Sequence, residues 1–82
     1  MDRVAVIAII IKENRSIARE VQQVLSDNAD VIKGRMGIPD LENNLFMISA
    51  IVKCSMERIS AITGKLGRMK NVTVKTAISD VS

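Results

Sequence analysis

The sequence predicts an α+β fold, a two-layer βαββαβ sandwich in which a four-stranded antiparallel sheet carries two helices on one face. Three observations predict it. Two segments, Val4–Ile11 and Leu45–Lys53, are apolar at both parities, as in strands buried on both sides. Each is followed by a stretch with one apolar stripe at helical spacing. The remaining segments, Val31–Ile38 and Val72–Ser79, alternate in the manner of edge or half-wetted strands.

Taken in order, the first strand is a run of Val, Ile and Ala. Asn14 or Ser16 can cap the helix after it by accepting a bond from an unpaired backbone N–H. In that helix Ile17, Val21, Val24 and Leu25 recur at i, i+4, i+7 and i+8, and Asn28 is suited to end it because Asn tolerates the left-handed conformation. Val31–Ile38 carries Lys33 and Arg35, charges that blunt an edge strand against stray pairing. Pro39-Asp40-Leu41-Glu42-Asn43-Asn44 has turn chemistry and joins it to Leu45–Lys53 as a hairpin. Ser55 can cap the second helix, whose stripe is Met56, Ile59, Ile62, Leu66 and Met69. Lys70-Asn71 turns the chain into the last strand, where Val72, Val74, Thr76 and Ile78 oppose Thr73, Lys75, Ala77 and Ser79.

Two βαβ halves with right-handed crossovers put the first and third strands at the centre of a ferredoxin-like sheet. Both helices then cover one side. The apolar side chains on the other side of the central strands need a cover, and a second subunit supplies it most economically.

Composition sets the remaining bounds. With 82 residues the sequence reads as a single domain, 1–82, and a chain of this size buries only roughly 60–65% of its unfolded surface. Yet 48% of its residues are hydrophobic, with Phe46 the sole aromatic, which points to a homo-oligomer, dimer or tetramer. The longest apolar run, Val4–Ile11, has eight residues, too short to span a membrane. It ends in Lys12-Glu13-Asn14-Arg15 without a secretory cleavage site, so no membrane association is expected. The lone cysteine, Cys54, reads as a small hydrophobe and fits a reducing cytoplasm.

The net charge of +3 is uneven: residues 1–52 hold six basic and seven acidic side chains, residues 53–82 six and two. The basic half, with Lys65, Arg68, Lys70 and Lys75, is either a solvated surface or a direct nucleic-acid contact. Base-stacking aromatics are missing. Catalysis is not expected, because the chain has no histidine or tyrosine and no carboxylate embedded in an apolar run. No metal or other cofactor is expected, since one cysteine cannot supply a soft-ligand set.

Gly34-Arg35-Met36-Gly37-Ile38-Pro39 is the most distinctive segment. Two glycines within a strand point to a bulge or a close backbone approach, or simply a kink before the turn. Arg35 offers a planar fork for an anion. Along the second helix, Ser60, Gly64 and Gly67 leave a face bare of side chains for close packing, unless Gly67 merely caps the helix. The candidate ligand-binding residues are therefore Gly34, Arg35, Met36 and Gly37, with Gly64, Lys65 and Gly67 as the other wall of a cleft at a subunit interface.

Val31-Ile-Lys-Gly-Arg-Met-Gly-Ile-Pro39 and Ile59-Ser-Ala-Ile-Thr-Gly-Lys-Leu-Gly-Arg-Met-Lys-Asn-Val-Thr-Val-Lys-Thr76, with the opening Arg3-Val-Ala-Val-Ile-Ala-Ile, resemble the regulators of the iron-only hydrogenase system. That family is similar in fold to ACT-type regulatory domains and to the C-terminal domain of the nickel-responsive repressor. The resemblance implies an ACT-like ferredoxin fold, an oligomer, and a part in regulating hydrogenase or its maturation, with a small-molecule effector or partner. Nickel-binding relatives use histidines, which this chain lacks, so nickel sensing is not carried over. Amino-acid-binding ACT domains usually place a glycine after the first strand, where this chain has Lys12-Glu13-Asn14-Arg15. The ACT-like core uses the whole sequence and leaves no helix-turn-helix, so transcription regulation would act through a partner or an unusual surface.

Overall fold

A computed structural model describes residues 1–12 and 15–81. The elements run β1 (Asp2–Lys12), α1 (Arg15–Asp27), β2 (Ile32–Asp40), β3 (Leu45–Ser55), α2 (Met56–Gly67) and β4 (Val72–Asp80). The sheet order is β2-β3-β1-β4 with every neighbouring pair antiparallel, the predicted topology with both apolar strands at its centre.

Strand alternation divides the side chains between two faces. On the helix side lie Ala5, Ile7, Ile9 and Ile11 of β1 and Ile48, Ala50, Val52 and Cys54 of β3, all buried. Val21, Val24 and Leu25 of α1 and Ile59, Ile62 and Leu66 of α2 close over them. Each such aliphatic side chain contributes about 1.5–3 kcal/mol when removed from water. The opposite face has no helix, and Val6, Ile10 and Ile51 of its central strands remain substantially exposed.

Several local expectations change. Asn14 lies outside the described residues, and Ser16 is inside α1 rather than at its cap. Asn28 does not adopt a positive φ; among the described residues the non-glycine ones that do are Asn44 and Asn71, at 54° and 64°. Asn28 ends α1 with its side chain instead, Nδ2 donating to Val24 O at 2.8 Å. Ser55 caps α2 as its position predicts, Oγ accepting from Arg58 N. Gly67 is the last residue of α2 and has no positive φ, so it is not a left-handed cap.

β2 also runs further than its sequence suggests, with Pro39 paired to Phe46 and Asp40 to Leu45. Proline lacks an N–H to give, which an edge strand tolerates. The four-residue turn that follows is tied by Asp40, whose carboxylate accepts from Asn43 N at 3.2 Å and from Asn43 Nδ2 at 2.9 Å.

The two β2 glycines do different things. A Cβ on Gly37 would stand 2.9 Å from Phe46 Cζ, whereas one on Gly34 would meet nothing within 4 Å. Gly37→Ala should therefore cost about 1–3 kcal/mol through overpacking. Gly34→Ala should be neutral or add about 0.4–1 kcal/mol by restricting the unfolded chain. Urea unfolding of the two variants measures the contrast.

Candidate functional site

The site begins with a register shift. Ile32 pairs with Val52, but the next paired residue, Gly34, opposes Ile51, leaving Lys33 as the extra residue of a bulge. One inserted residue moves every later side chain to the other face. Arg35 and Gly37, opposite Ala50 and Ile48, thereby turn to the helix side, and Met36 and Ile38, opposite Ser49 and Met47, turn to the uncovered side.

Between this bulge and the end of α1 lies a cavity of about 360 Å³ lined by Leu25, Ser26, Ala29, Ile32, Lys33, Gly34 and Arg35. Its apolar contributors are Leu25, Ala29 and Ile32, its ionic ones two cations, and no carboxylate among the described residues lines it. The acidic side chains of the adjoining turn are engaged elsewhere. Asp27 Oδ1 accepts from Gln23 Nε2 at 2.8 Å. Asp30 takes both terminal nitrogens of Arg58 at 2.7 Å each.

That guanidinium also donates to Asn28 Oδ1, from Nε at 3.3 Å and Nη2 at 3.2 Å. The Asn28–Asp30 turn is thus fastened to the first turn of α2, fixing the back of the cavity. The Arg58 hydrogen bond holds the Asp30 carboxyl below its usual range, and the same bond raises Arg58. Beneath this clamp, burial pushes the Cys54 thiol up, against the opposing pull of the Arg58 charge, so the group stays a neutral thiol. Among the described residues no cluster of three or more His, Cys, Asp or Glu side chains could hold a metal.

Of the predicted site residues, Gly34 and Arg35 line the cavity. Gly37 is occupied by Phe46, and Met36 lies on the opposite sheet face. Gly64, Lys65 and Gly67 are on α2, which packs mainly over β4 and the central strands, at the other side of the sheet from β2. One chain does not bring the two predicted walls together. A Cβ on Gly64 would come 3.3 Å from Arg68 Nη1, and Gly67 is open, so Gly64 lets Arg68 fold back along the helix. Lys33 and the apolar lining from α1 are additions that sequence reading missed. Gly34 signals a bulge, but which neighbour is extra depends on the partner strand.

Asp30 supplies stability while ionised beside Arg58. Its folded pKa is depressed, so this contribution is present above the unfolded carboxyl pKa of about 4 and disappears as pH falls through the folded value. The stability gap between wild type and Asp30→Asn should be widest near neutrality and close as the solution is acidified below the unfolded carboxyl value, as followed by thermal melts across that range.

Comparison with known proteins agrees with this architecture. Residues 3–76 match the model of the TM1266-like iron-only hydrogenase system regulator family. The chain is similar to the uncharacterized protein TM1266 from Thermotoga maritima, with 29% identity, a TM-score of 0.92, and coverage of 95% of this chain and 98% of that one. It shares its fold with the ACT domain of GTP pyrophosphokinase from Chlorobium tepidum, at 18% identity and a TM-score of 0.75, covering 94% of this chain and 100% of that one. The C-terminal domain of MgtC from Mycobacterium tuberculosis is also similar in fold, at 9% identity and a TM-score of 0.72, covering 96% and 89% of the two chains. No curated protein sequence matches the chain.

Proposed function

The chain belongs to the TM1266-like iron-only hydrogenase system regulator family, and from that premise we propose that it is a non-catalytic, cytoplasmic, oligomeric sensing module of that system, controlled by a small-molecule effector or partner bound beside β2. The observation that carries this reading is the bulge-built cavity, where Lys33 and Arg35 stand with Leu25, Ala29 and Ile32 and with no acid among the described residues. Such a lining suits an organic anion with an apolar body: the guanidinium forks onto a carboxylate or phosphate, and the aliphatic floor takes the remainder. The ACT-like fold of the domain from GTP pyrophosphokinase supports a regulatory role over a catalytic one, as does the want of histidine and tyrosine in the sequence.

The alternative, direct nucleic-acid binding by the basic half, has less support. Lys65, Arg68 and Lys70 cluster around the end of α2, but Lys75 falls on the uncovered sheet face. Arg58 is committed to Asp30. The sole aromatic ring, Phe46, lies against Gly37 and cannot stack on bases. A gel shift at two salt concentrations tests it, because phosphate binding must weaken steeply with salt.

A thermal-shift screen of amphipathic carboxylates and phosphates tests the main reading. A ligand at about 100 times its Kd adds about 2.7 kcal/mol, which raises Tm by roughly 10–20 °C in a domain of this size. Arg35→Ala and Lys33→Ala should each remove that rise. A screen with no shift, or a shift that survives both substitutions, contradicts the assignment of the cavity.

A further inference from the structure

The face of the sheet away from the helices is the largest unused feature of the molecule. Val6, Ile10, Met36, Ile38 and Ile51 all point to it and are 40–61% exposed. Two shallow, mainly apolar hollows indent it. One, of about 310 Å³, lies among Ala8, Ile10, Met36 and Met47; the other, of about 270 Å³, lies among Val6, Ile51 and Ala77. Scattered exposed aliphatics are ordinary on a protein surface, but a contiguous apolar sheet face is not.

We infer that this face is covered by the same face of a second copy, sheet on sheet, about a two-fold axis running along the strands between β1 and β3. The inference deepens the proposal of an oligomer by naming its interface and the partner. Three features favour a second copy over an unrelated protein. The first is area. Four strands ~4.8 Å apart and about eight residues long at ~3.4 Å per residue give a face of roughly 500 Å². Two such faces remove roughly 1,000 Å², the lower bound of a specific interface.

The second is charge. By strand alternation each end of the face carries one acid and one lysine: Asp40 with Lys12 at one end, Asp2 with Lys53 at the other. A copy turned about the strand direction brings like ends together, setting Asp40 one strand across from the partner's Lys12 and Asp2 over the strand that carries the partner's Lys53, so neither end stacks like on like. The third is shape. That rotation lays β2 over the partner's β4. Ile38 then opposes Thr73 and Met36 opposes the aliphatic stem of Lys75, each pair at one register level across the sheet. The larger Ile38 over Thr73 lets the facing sheets interdigitate, and Met36 packs along the lysine stem while the ammonium leaves at the sheet edge.

Sedimentation equilibrium on the intact chain at tens of micromolar tests this. The wild type should run as a dimer or higher multiple of 9.0 kDa. Ile51→Lys and Ile10→Lys should each weaken association at least 100-fold and give a particle of monomer mass with an unchanged circular dichroism spectrum. Leu41→Lys, at an 86% exposed position in the β2–β3 turn, should leave the assembly intact. Should either central variant misfold, Met36→Lys on the edge strand reads the same face. A wild type that stays at monomer mass overturns both this interface and the oligomer reading. A wild-type oligomer that survives the folded face variants overturns the interface alone.

Discussion

The constraint on which the rest of this structure depends is that a strand has two sides and this chain supplies helices for only one. β1 is apolar at nearly every position, so pleating sends Ile7, Ile9 and Ile11 into the core and Val6, Ala8 and Ile10 outward. No shift of register could bury both sets. Among the described residues the packed side holds fifteen buried hydrophobic ones, and a chain of this size has little stability to spare beyond them. The exposed aliphatics of the other side are therefore a hydrophobic contribution that folding of one chain leaves unused and that association can recover.

The bulge at Lys33 then decides how the edge of the sheet is used. Without the extra residue, Met36 and Ile38 would face the helices and Arg35 and Gly37 would face outward. With it, the outward face gains two more large apolar side chains, Phe46 gains the space above Gly37, and Arg35 joins Lys33 at the cavity beside α1. A single irregularity thus couples the proposed effector site to the apolar face, since both depend on the same pairing of β2 with β3. The clamp of Arg58 on Asn28 and Asp30 holds the approach to that bulge. Val31 O accepts from Lys53 N at 3.1 Å just before it.

Much of the fold was legible in the sequence because its signals are local. A β-branched run marks β1, a strongly apolar one marks β3, stripes at helical spacing mark α1 and α2, and Asn71 marks the turn into β4. What was not legible belongs to pairs of segments. Pro39 reads as a turn residue until β2 is known to be an edge. The identity of the bulged residue is a property of two strands, not one. The Asn28–Arg58 contact joins residues 30 apart, and Asn28 consequently ends its helix by side-chain bonding instead of a left-handed turn. The glycines of α2 and those of β2 look like two walls of one cleft in the sequence, but the strand order places them at opposite sides of the sheet.

Regulation through assembly is the simplest use of the proposed interface: an effector that reorders the β2 edge would alter the face we infer two copies to share. The most direct measurement is methyl NMR of the wild-type protein with a soluble paramagnetic probe, comparing Val6, Ile10 and Ile51 with Leu41. If a second sheet covers the face, the first three methyl sets stay sharp while Leu41 broadens. If all four broaden alike, the face is wet in solution and the account of this protein as a sheet-stacked assembly is wrong.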